Sequence, residues 1–160
     1  MIKFENDDRL KESVQLCSIH ATRMTFAYEK VKLHFPLTVE IYNQLEMEEV
    51  SFFDQLIFRF SKLQDCMGGK LFPTLLEKLG EETRSVPFID LLSKLEALKL
   101  IENAKDWLLL RETRNIVTHE YPFNQEDVIE GLNLLSKHYS LILIMWKHID
   151  DYILERIDTN

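Results

Sequence analysis

Apolar residues recur along most of this chain in alternating steps of three and four, the spacing of one face of an α-helix. Leu10, Val14, Cys17, Ala21, Met24, Tyr28 and Val31 form the first such stripe. Asp7 and Asp8 stand before it, where the helix dipole favours anions, and Pro36 ends the element. Thr38 is placed to cap a second long helix carrying Tyr42, Leu45, Phe52, Phe53, Leu56, Ile57, Phe60 and Leu63 inward. Gly68-Gly69 reads as the sharpest break in the chain, and Pro73 limits the next segment to a bend or a short helix through Leu79.

After an acidic loop at 80–86, Pro87 opens a helix whose apolar face is Phe88, Leu91, Leu92, Leu95 and Leu98. Asn103 caps the next helix, with Asp106 three residues on. It turns Trp107, Leu110, Ile116 and Val117 inward and is expected to end near Tyr121, because Pro122 disfavours helical geometry in the residue before it. Asn124 caps the last helix, with Glu126 and Asp127 in its first turn. Val128, Leu132, Leu135, Tyr139, Ile142, Trp146, Ile149 and Ile153 then repeat over about eight turns. A period-two strand pattern is absent. The expectation is a single all-α domain over 1–160, an antiparallel up-and-down bundle of four to five helices.

Composition agrees: 160 residues with only four Gly and four Pro leave little room for a turn-rich β fold. Cys17 and Cys66 have no metal-ligand spacing and read as small buried thiols, so no metal and no cofactor are expected. The first residues lack an apolar signal stretch and no run is long enough to span a bilayer, which makes the cytoplasm the expected location. The net charge of −8 argues against a protein that coats nucleic acid through a broad basic face. It leaves room for an enzyme that grips RNA with a few local cations, although the sequence has no extended basic patch.

The segment Arg111 to Pro122 is the exception among otherwise solvated polar faces. It gathers two Arg, Asn115, His119 and Tyr121 at the end of a helix, where exposed carbonyls favour the imidazolium. A histidine beside arginines suits proton transfer around a phosphate. The blander readings are a histidine that caps carbonyls, an Arg114 paired with Glu112 or Glu120, and a Tyr121 that packs at the helix exit. Arg111 is expected on the Arg114 side, one turn earlier. His20, His34, His138 and His148 lack a second metal ligand at helical spacing.

Arg114-Asn115-Ile116-Val117-Thr118-His119-Glu120-Tyr121 resembles the Arg-x4-His-x-Tyr signature of HepT toxins, a branch of the HEPN superfamily. Asp54-Gln55-Leu56-Ile57-Phe58-Arg59-Phe60 is similar to that family's second-helix pattern, and Trp107 is also typical, so the likeness spans about residues 10 to 150. The resemblance implies a small helical bundle, homodimeric, that cleaves RNA without a metal. It implies catalytic roles for Arg114 and His119, and substrate positioning by Asn115. Tyr121 would be the tyrosine that a cognate nucleotidyltransferase antitoxin modifies with AMP. A non-catalytic nucleotide- or substrate-binding partner of such a transferase is the alternative, and an interaction protein using the apolar Phe52–Phe60 face is a third. Residues five apart on an ideal helix point about 140° away from each other. Arg114 and His119 should therefore share a site only if the last turn distorts or two copies meet across a two-fold axis.

Overall fold

The computed structural model describes residues 7–119 and 124–156, and among these every regular element is helical. α1 spans Asp8–Val31, α2 Val39–Asn43, α3 Met47–Cys66, α4 Phe72–Lys78, α5 Phe88–Ala97, α6 Ala104–Thr118 and α7 Gln125–Leu154. The all-α bundle expected from periodicity is the fold. Its four long helices, α1, α3, α6 and α7, run alternately up and down. Cys17 lies against Cys66 and Phe26 against Phe52, so α1 and α3 are antiparallel. Asp65 meets Arg114 while Asp54 shares a groove with Thr118, which makes α3 and α6 antiparallel too. Tyr28 stacks on Tyr139 at 3.7 Å between ring centres, and the Tyr139 hydroxyl donates to Thr25, tying α1 to α7.

Most predicted caps are in place. The Asp7 carboxylate accepts from the backbone N–H of Arg9 and Leu10 and pairs with Lys78 at 2.9 Å. Thr38, Asn103 and Asn124 each accept a backbone N–H from their helix's first turn. The stripes face inward: Met24, Leu56, Phe60, Leu63, Trp107, Leu110, Leu135, Ile142 and Ile149 are fully buried. Both cysteines are buried thiols, as expected. Although 49 residues apart in sequence, they touch in the core with 3.2 Å between sulfurs. The Cys17 thiol donates to Cys66 and is held far above the ordinary thiol range by that bond and by burial.

Two expected breaks in the chain need correction. Thr38 caps only a five-residue helix, and a new one starts at Met47. Glu46 and Glu49 supply its capping box, each side chain accepting the other's backbone N–H.

Gly68-Gly69 is the second. The chain stays helical there by widening into a π turn, Met67–Leu71, that runs into α4. A wide turn accommodates Pro73, which lacks the N–H a regular turn would use. The two glycines also differ. A Cβ at Gly68 would lie 2.8 Å from Cζ2 of the fully buried Trp107, whereas a Cβ at Gly69 would meet nothing within 4 Å. Gly68→Ala should therefore destabilise the protein by about 1–3 kcal/mol in urea unfolding, from overpacking. Gly69→Ala should be neutral or stabilising by up to about 1 kcal/mol. Equal stabilities for the two variants would contradict the packing of Trp107 on Gly68.

Candidate functional site

α6 ends at Thr118, three residues before the expected boundary. The cause is local. The Thr118 hydroxyl donates to the carbonyl of Arg114 at 2.8 Å and also reaches, at 3.5 Å, the carbonyl of Asn115, the acceptor that residue 119 would use in a continued helix. His119 then leaves the helix with extended backbone, φ −74° and ψ 135°, and its N–H donates to the Ile116 carbonyl. It is thus the first residue beyond the helix rather than a member of its last turn. Tyr121 lies outside the described residues.

His119 borders more than one groove. It lines a groove of about 470 Å³ together with Arg114, Asp54, Phe58, Lys62 and Asp65. Because its φ is still near the helical value, the extended ψ redirects the chain beyond His119 rather than its side chain, and the two residues are joined as walls of this groove. A second groove, of about 370 Å³, places His119 with Arg111, Asn115 and Leu108. His119 is common to both. Arg111, one turn before Arg114, shares this second groove with Asn115 and His119. It also reaches a third groove, of about 290 Å³, beside Asp65, Gly68 and Trp107, with its guanidinium 6.0 Å from the Phe88 ring.

Arg114 has a partner that the sequence did not reveal. Its Nε donates to Asp65 Oδ1 at 3.1 Å and a terminal nitrogen donates to Oδ2 at 3.0 Å, a bidentate clasp. Glu112, a candidate partner from the sequence, sits two residues away on the same helix and so faces elsewhere. The clasp occupies two of the five guanidinium N–H donors and leaves three for another acceptor. Asp65 thus orients Arg114 while lowering the net charge it presents. Lys62 and Phe58 also enter the groove from α3. None of these three had a signal in the sequence beyond its place on α3, because the register between α3 and α6 is a property of packing.

The described residues contain no cluster of His, Cys, Asp or Glu able to hold a metal ion, and no helix among them is long and apolar enough to cross a membrane. No protein-family model matches the chain, and no curated protein or solved structure matches it.

Because Arg114 and Asp65 are about one-third and two-fifths exposed (33% and 44%), their pairing contributes little to stability. Asp65→Asn is expected to change the free energy of unfolding by less than about 1 kcal/mol in urea titration. A larger loss would mean that the clasp holds the bundle together rather than orienting a side chain.

Proposed function

We propose that this protein is a metal-independent endoribonuclease of the HEPN class, similar to HepT toxins, with Arg114 and His119 as its catalytic pair. What supports the reading is the shared groove: Arg114, clasped by Asp65, and His119 both line it within a single chain. A homodimer and a nucleotidyltransferase partner are still implied by the resemblance alone.

The chemistry is set by the groups. His119 takes the proton from a ribose 2′-OH as its oxygen attacks the adjacent phosphorus, or gives one to the departing 5′-oxygen. The P–O5′ bond breaks, leaving a 2′,3′-cyclic phosphate on one fragment and a 5′-hydroxyl on the other. Arg114 stabilises the charge that builds on the phosphoryl oxygens, through the donors that Asp65 leaves unused. Asn115 and Arg111, on the second groove beside His119, hold the strand on the far side. AMP on Tyr121 would add negative charge and bulk next to the site and repel the phosphate.

The test is cleavage of a synthetic RNA by purified protein in excess EDTA. His119→Ala should lower the single-turnover rate by about 10²–10⁴-fold, and Arg114→Ala by about 10²–10³-fold. Both variants should retain the thermal stability of the parent. If the parent cuts no RNA while nucleotide binding persists, the non-catalytic partner reading replaces this one.

A further inference from the structure

The net charge of −8 hides an uneven distribution. Where α1 crosses α3, four cations converge on His20: Arg59, Lys62, Arg23 and Lys70 all act on its imidazole. Arg59 donates to His20 Nδ1 across 3.0 Å. An arginine can only donate, so Nδ1 must be the accepting nitrogen and the ring proton sits on Nε2. Burial, followed by the surrounding positive charge, holds the His20 pKa below its ordinary value.

Not every cation of the chain is paired. Arg9, Lys32, Lys78, Lys94 and Arg114 each pair with a carboxylate. Among the described residues, Arg23, Lys30, Arg59, Lys62 and Lys70 form no ion pair. Burial and the neighbouring Arg23 lower the Arg59 pKa, and its Nε–H has no acceptor among the described residues. Leaving so much like charge together without counter-ions is unfavourable in the isolated protein. An anionic ligand would relieve it.

Aromatic rings interleave with the charges. Phe26 is 57% exposed and Phe58 47% exposed, high values for such large apolar side chains. Lys30 lies over Phe26 at 5.3 Å and Phe52 at 6.0 Å from the ring centres. Arg59 and Lys62 flank Phe58 at 4.9 and 5.7 Å. Phe26 packs edge-on against Phe52 across the two helices, so the rings and cations belong to one continuous seam. Phe58 and Lys62 are also walls of the groove that holds Arg114 and His119. The seam therefore opens directly into that groove.

We propose that the α1–α3 seam, with Arg23, Lys30, Arg59 and Lys62 as phosphate contacts and Phe26 and Phe58 as stacking platforms, binds single-stranded RNA and leads it toward the Arg114–His119 groove. The assignment of the groove rests on the ribonuclease reading; the seam's own chemistry does not. Cations alone would suit any acidic surface, but exposed rings set between them match a strand that offers a phosphate and an unpaired base at each step. An acidic polypeptide has no base to stack. An RNA duplex presents its bases already stacked on one another.

The experiment titrates a fluorescent twelve-nucleotide single-stranded RNA into His119→Ala protein, which separates binding from cleavage. Anisotropy is followed across a salt series, with a Tm for every variant. Arg23→Gln combined with Lys62→Gln should weaken binding at least about tenfold and flatten the log–log salt slope by roughly 1.4, near 0.7 per lost phosphate contact on a single strand. Phe26→Ala combined with Phe58→Ala should weaken binding by roughly fivefold or more per ring while leaving the salt slope unchanged. Unaltered affinity in both double variants, with normal Tm values, overturns the proposal. So does polyglutamate displacing the RNA at equal charge concentration, which would mark the seam as a site for acidic proteins. Cleavage by the parent with unchanged binding in the seam variants would refute the seam and spare the nuclease. Seam-dependent binding without cleavage by the parent would do the reverse.

Discussion

The placement of Trp107 on Gly68 fixes the register on which the candidate site depends. The indole is fully buried, 4.7 Å from the Phe72 ring centre and 6.3 Å from that of Phe88, and only a residue without a Cβ lets it lie against the π turn. Arg114 stands seven residues beyond Trp107, two helical turns on the same face, and Asp65 stands three before Gly68. Seating the indole therefore sets Arg114 opposite Asp65. The magnitudes assign the roles. An aromatic side chain that buries 150–250 Å² contributes about 4–6 kcal/mol at the usual area coefficient. A half-exposed ion pair contributes about 1 kcal/mol or less. Packing chooses the register, and the clasp then trims the direction of one guanidinium.

A second constraint acts at the other end of α6. Arg114, in its last turns, and His119, just beyond its end, line the same groove. The Thr118 hydroxyl, bonded back to the Arg114 carbonyl, lets the helix stop where it does. Thr118 thus has a geometric role that the Arg-x4-His spacing alone does not express.

The sequence made the long helices legible because each must turn one stripe inward, and a stripe of eight turns such as that of α7 has no other reading. Caps were legible for the same reason: Asn103, Asn124 and Thr38 satisfy donors within three residues. Pairing between distant residues was not. The touching of Cys17 with Cys66, the clasp of Asp65 on Arg114 and the meeting of His20 with Arg59 all depend on how α1, α3 and α6 are stacked. Local rules also misjudged two breaks. Gly68-Gly69 carries the signature of a turn, yet tertiary burial of Met67, Leu71 and Phe72 holds it helical. The stretch from Thr38 to Leu63 has no Gly or Pro, yet Glu46 and Glu49 build a new capping box inside it.

Charge illustrates the same separation between chain and fold. No run of cations appears along the sequence, since Arg23 and Lys30 belong to one helix and Arg59 and Lys62 to another. Antiparallel packing makes them neighbours. The groove they adjoin is close to balanced, with Asp54 and Asp65 set against Lys62 and Arg114. Tight capture of a polyanion inside such a groove is unfavourable, but a balanced groove suits chemistry that must release its product. If the protein is the ribonuclease proposed, holding the strand on the unpaired cations and cutting it in the balanced cleft would divide these demands. On that proposal the net charge would govern how fast a strand arrives, and the seam how well it stays.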